Sequence, residues 1–259
     1  CREGKHAQCQ RRRGGGARGV GGVSGCGEER GAVSLRDDED EVGRGVRAQL
    51  EHLGRGEDGR VRGAERADTA AFAVSPAEAA AMDPRQRLLL ERGYEALHES
   101  SLTRTSLLGS LTGVFVGIAA SDYAELLRAS PAGASVYAAT GSAHSIASGR
   151  LSYELGLHGP CVSYDTACSA SLVANHGSMR ALQRGECDAA LSAGVNMILD
   201  AGPMFGNAIG GFTSVRGRSH TFDTRADGYA RGEAISDAVL TDTGALAGVT
   251  APLCSTYAS

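Results

Sequence analysis

Residues 163–178 read SYDTACSASLVANHGS, and the architecture of the chain can be worked outward from them. A β-prone run ends in Asp165 and Thr166, a single cysteine follows, and very small residues then open a helix. Gly159 and Pro160 turn the chain into the strand CVSYDTA, and CSASLVANHGSMRALQRG is a helix stopped by Gly185. Cys168 therefore stands at a strand-to-helix turn. A helix N-terminus offers unsatisfied N–H groups and a partial positive charge. A cysteine there is favoured as thiolate, and the same N–H groups can stabilise an oxyanion on an attacked thioester. The small neighbours Ala167, Ser169, Ala170 and Ser171 suit a strained turn open to a substrate carbonyl. The pattern equally fits a small buried cysteine packed under a helix, and the residues alone leave both readings open.

Strands and helices alternate on either side. MDPRQRLLLERGYEALHES has Asp83 as N-cap and Pro84 at the first helical position, followed by helical periodicity through Leu89, Leu90, Tyr94 and Leu97. TGVFVGIAAS is a buried strand, SAHSIASGRLSYELG a helix closed by Gly156, and DAALSAGVNMIL another buried strand. Elements of these lengths in this order predict an α/β layered domain over residues 66–234. Residues 1–65, rich in Gly, Arg and acids, contain no aromatic side chain and are expected to be disordered. Residues 235–259 form a divergent tail with one short apolar stretch.

Composition narrows the function classes. The 259 residues carry a net charge of −4, and the Arg/Gly-rich start is offset by the acidic run Asp37–Glu41, so nucleic acid is not an expected partner. No apolar run reaches membrane-spanning length, and the first residues lack the apolar core of a secretory signal. Seven cysteines at irregular spacing fit neither a disulfide framework nor a zinc ribbon, so no metal is expected and the compartment is taken as reducing and intracellular, with the cytoplasm favoured. Cys161 and Cys187 adjoin strands and are expected in the core. His176 lies about 12 Å along the helix from Cys168, too far for a direct hydrogen bond. His98 and His158 are expected at the surface, and His144 and His220 stay open. GxSxG, P-loop and HExxH motifs are absent.

The motif DTACSASLVA resembles the active-site signature of β-ketoacyl synthases, the condensing enzymes of polyketide and fatty-acid synthesis. AFAVSPAEAAAMDPRQRLLLERGYEAL, GVFVGIAASDY, ATGSAHSIASGRLSYELGLHGPCVSYDTACSASLVA, ALQRGECDAALSAGVNMIL and SHTFDTRADGYARGE continue the likeness, in family order, to the polyketide synthase kind. The resemblance implies the N-terminal half of a thiolase-like α-β-α-β-α fold. It implies Cys168 as the nucleophile that takes an acyl group, its own N–H as an oxyanion donor, and Asp223 and Glu233 as positioning carboxylates; the alternative for both carboxylates is plain loop structure. It implies decarboxylative condensation on an acyl carrier protein bearing phosphopantetheine thioesters, a homodimer with the strand before Cys168 near its axis, and no cofactor. The family's condensing step uses two later histidines and a lysine. No histidine follows His220 here and Lys5 is the only lysine, so acyl transfer to Cys168 is expected of this chain and condensation by it alone is not. The rival expectations are a non-catalytic ketosynthase fragment that dimerises or docks a carrier protein, and a cysteine hydrolase of unrelated fold.

Overall fold

The computed structural model describes residues 68–120 and 122–241, seven earlier positions (43, 44, 46–48, 61 and 64) and the backbone of 246–250. Most of 1–65, where disorder was expected, lies outside these residues. Val46, Val61 and Ala64 from that segment are described and buried.

The helices are α1 (Pro76–Ala81), α2 (Pro84–Glu99), α3 (Arg104–Leu107), α4 (Asp122–Ala129), α5 (Ala138–Ser142), α6 (His144–Leu155), α7 (Ala170–Gln183) and α8 (Gly202–Ile209). The strands are β1 (Thr112–Ile118), β2 (Cys161–Tyr164), β3 (Ala189–Asn196), β4 (Ala234–Thr241) and β5 (Leu246–Thr250). They form one mixed sheet in the order β2-β1-β3-β4-β5. The first three are parallel, and β4 and β5 each run antiparallel to the preceding neighbour.

Local chemistry explains the boundaries. Asp83 caps α2 by accepting the Arg85 backbone N–H, and Pro84 occupies the first turn, where no N–H is needed. Gly156 ends α6 in the left-handed conformation at φ 65°. The tail contains β4, which the apolar pattern alone left unplaced.

The sheet is covered on both faces. On one, Val114, Val116 and Ile118 of β1 and Leu191, Ala193 and Val195 of β3 join Leu89, Leu97 and Leu151 of α2 and α6 in the larger core. On the other, Phe115 and Ala190 meet Ala174 and Ala181 of α7 together with Cys187. Period-two alternation along β1 and β3 sends Val114, Val116, Ile118, Leu191, Ala193 and Val195 to the first face, and Phe115 with the small residues Gly113, Gly117, Ala190, Ser192 and Gly194 to the second. Helix α7 answers with an equally small stripe, Ala170, Ala174, Ser178 and Ala181, all buried. Small residues meeting small residues bring the α7 backbone down onto the sheet.

Candidate active site

Cys168 lies in a 3-10 turn, Ala167–Ser169, between β2 and the first residue of α7. The helix thus begins two residues later than the sequence pattern placed it, with Cys168 on the approach rather than in the first turn. Its side chain is a free, exposed thiol. Ala167 holds φ 53°, a left-handed conformation that costs a residue with a Cβ. Asp165 Oδ1 accepts the Ala167 N–H at 3.0 Å, and Ser169 Oγ lies 3.0 Å from both the carbonyl oxygen and Oγ1 of Thr166. Short-range side-chain bonds therefore hold a strained turn in place.

The small residues after the cysteine have a packing cause that the sequence did not reveal. Gly117 of β1 and Gly194 of β3 are register partners. A Cβ built on Gly117 would lie 2.4 Å from the Ser171 nitrogen, and one on Gly194 would lie 2.6 Å from the Ser171 Cβ. The start of α7 rests directly on this glycine pair, and that seating sets the height of the cysteine turn above the sheet.

The carboxyl ends of β1, β2 and β3 share one edge of the sheet with the amino end of β4. That edge is where open α/β sheets place their ligands. Glu233 stands there, immediately before β4. It is buried, and its two oxygens accept the backbone N–H groups of Val61 at 2.9 Å and Ile198 at 3.0 Å. Three strand spacings, about 14 Å, separate the β4 column from that of β2, so Glu233 and Cys168 stand on well-separated strand columns. Glu233→Gln turns one acceptor into a donor facing an N–H. The expected cost is about 2 kcal/mol, seen as a melting temperature lower by about 4–8 °C.

Asp223 lies in the loop between α8 and β4, where it binds the Arg225 guanidinium at 2.7 and 3.0 Å. Those hydrogen bonds, with one from the Arg225 backbone, hold its carboxyl well below the usual range. Cys187 is in the core as expected, and burial pushes its thiol up. Cys161 is not: it is exposed, because β2 is the outermost of the described strands on its side of the sheet. His176, His98 and His158 are exposed, and His144 turns inward to place Nε2 2.8 Å from the Ala120 carbonyl oxygen.

Sequence reasoning missed a polar cluster under the same edge. Arg85 is fully buried. Its Nε lies 3.2 and 3.0 Å from the Asp83 carboxylate oxygens and its second terminal nitrogen donates to Asp83 at 2.7 Å, with Asp122 3.7 Å away. Its first terminal nitrogen donates to the carbonyls of Ala119 at 2.6 Å and Ala120 at 2.8 Å. Asp122 in turn accepts the Leu199 N–H at 2.9 Å. One signal was available: a cation in the first turn opposes the helix dipole, so its presence there calls for an anionic partner.

The model for "Beta-ketoacyl synthase, N-terminal domain" matches residues 25–244. The chain belongs to the β-ketoacyl synthases. It is 46% identical over 162 residues to a mycocerosic acid synthase-like polyketide synthase of Mycolicibacterium smegmatis, covering 62% of this chain and 8% of the relative. It is 46% identical over 175 residues to tenellin synthetase of Beauveria bassiana, covering 68% of this chain and 4% of the relative. Among solved structures, the ketosynthase from module 6 of the Bacillus subtilis bacillaene synthase aligns with TM-score 0.62 and 33% identity over 68% of this chain and 30% of its own. An oxazolomycin ketosynthase domain from Streptomyces albus aligns with TM-score 0.62 over 70% of this chain and 32% of its own. The fold is thus thiolase-like, and the chain spans about a third of the ketosynthases it superposes on. Members of this family are transferases. Among the described residues, no helix of the ketosynthase chain is long and apolar enough to cross a membrane.

Proposed function

We propose that Cys168 accepts an acyl group from a carrier-protein thioester, the first half-reaction of chain extension. The thiolate attacks the thioester carbonyl, a tetrahedral oxyanion forms, and the bond to the pantetheine sulfur breaks. That sulfur leaves as a thiolate and takes up a proton, and the acyl group stays on Sγ as a new thioester. In the whole protein, this acyl group would then be extended by decarboxylative condensation with a malonyl-type carrier thioester. The observation that carries the reading is the exposed thiol on a strained turn at the ligand-binding edge of the sheet. Glu233 and Asp223 take part indirectly: the first braces the exit of β3, the second holds its loop through Arg225. Among the described residues, β2 has no strand on its outer edge, which also favours a homodimer, since an open strand edge is a template for a second chain.

Timed alkylation with iodoacetamide, read peptide by peptide, tests the proposal without any partner. Cys168 is expected to react several-fold faster than Cys161, which is also exposed, and Cys187 to react slowest. A Cys168 rate no higher than that of Cys161 would leave a non-catalytic docking or dimerisation module as the better reading.

A further inference from the structure

We infer that Arg85 is a positioning residue for the nucleophile, acting through the adjoining strand exit; this rests on Cys168 being the acyl acceptor. Strands β1 and β2 run parallel with Gly117 opposite Tyr164. Three residues beyond that pair, each chain takes a left-handed turn at an alanine: Ala120 at φ 64° and Ala167 at φ 53°. Two neighbouring strands therefore leave the sheet through matching strained turns, and the second leads directly into Cys168. Such conformations persist only where the surroundings over-determine them. The β2 turn has the local Asp165 bond. Among the described residues, the β1 turn is held through the Ala120 carbonyl, which is gripped from beneath by Arg85 and by His144, each at 2.8 Å.

The cost of burying Arg85 indicates more than generic packing. A fully buried guanidinium is tolerated only with its charge paired and its donors used. Here Asp83 supplies the pairing, and the remaining terminal nitrogen is spent entirely on the two carbonyls of the β1 exit. Asp122 extends the cluster to the Leu199 N–H after β3. One cation thus fixes the start of α2 and the exit of β1, and its carboxylate neighbour fixes the exit of β3. Gly117, three residues before Ala120, bears the start of α7 at Ala170 and Ser171, so displacement of the β1 exit is passed to the helix that continues the cysteine turn. Lysine is a poor replacement, since one ammonium cannot span a carboxylate fork and two carbonyls at once.

The test compares the ratio of Cys168 to Cys161 alkylation rates across variants of the full chain. Cys161 sits at the opposite end of the same strand, so it reports global loosening but not the turn. Arg85→Lys is expected to lower the ratio about tenfold, because sub-ångström to ångström misplacement at a reacting centre carries effects of that order or larger. Arg150→Lys serves as the control: Arg150 is also buried, but binds Gln86 and Glu78 away from the strand exits, and its ratio should stay at the wild-type value. Should Arg85→Lys fail to fold by circular dichroism, His144→Ala decides the matter, because it removes one grip on Ala120 and leaves the charge cluster intact. Its ratio is expected to fall in the same direction, by less. An unchanged ratio in the folded Arg85→Lys protein, or an equal fall in Arg150→Lys, overturns the inference. If Arg85→Lys does not fold, an unchanged ratio in His144→Ala overturns it. A wild-type ratio near one is a different result, and it counts against acyl capture at Cys168 rather than against the role of Arg85.

Discussion

Cys168→Ala is expected to abolish covalent acyl capture, and Cys161→Ala is expected to leave it at the wild-type level. The measurement is intact mass after incubation with an acyl thioester of N-acetylcysteamine, which presents the reacting end of a pantetheine arm. Removing the nucleophile of a covalent mechanism costs at least about 10³-fold in rate, so the labelled species should vanish on the timescale that saturates the wild type. The comparison among cysteines is what gives the result meaning. Cys187 is disqualified by its setting: burial removes access and pushes its thiol up, away from the reactive thiolate. Cys161 is exposed, as Cys168 is, but stands at the start of β2 rather than at the turn that leads into α7. If exposure alone governed capture, Cys161 would be labelled as well as Cys168, and each single variant would lose only its own share. Loss confined to Cys168→Ala assigns the chemistry to the turn. Label retained in Cys168→Ala would remove the acyl-transfer reading.

Much of the fold was legible because its signals are local. The Asp83–Pro84 cap, the left-handed glycine after α6 and the apolar runs of β1 and β3 each act within a few residues, and all appear where the pattern put them. What failed depends on partners distant in sequence. Cys161 was expected inside because it begins a strand, but sheet order made that strand the outermost of those described. Strand β4 went unplaced because its inward face reads Ile235, Asp237, Val239, and an acid on the buried side breaks the alternation that marks a strand. The site followed the same rule. The strand-to-helix turn at Cys168 was readable from its neighbours, whereas the exposure of its thiol came from the fold. The Arg85 cluster was not, because it joins the start of α2 to strand exits 34 and 35 residues further on. Glu233 was singled out, yet its partners, Val61 and Ile198, could only come from the fold.

Gly117→Val is expected to be among the most damaging single changes in the described core, and its effect should reach the site. The added Cβ would meet the Ser171 nitrogen at 2.4 Å, the Ala170 carbonyl carbon at 2.5 Å and the Ser171 Cα at 2.6 Å. All three are backbone atoms at the start of α7, so no rotamer change relieves the clash. Either the helix lifts off the sheet or β1 bends. Overpacking of this kind costs about 3 kcal/mol, a large part of the 5–15 typical of a domain, and lowers the melting temperature by about 6–12 °C. Gly149→Ala provides the contrast. Gly149 lies inside α6, a Cβ there would touch nothing within 4 Å, and alanine should hold or raise stability by up to about 1 kcal/mol. Differential scanning calorimetry of the two variants separates a crossing that requires glycine from a helix that merely contains one. Lifting α7 also moves the cysteine turn, which is continuous with it, so a folded Gly117→Val protein should lose the reactivity advantage of Cys168 over Cys161. Equal melting temperatures for the two variants would mean that α7 does not bear on β1 at this point. The glycine pair under Ser171 would then have no part in setting the height of the nucleophile.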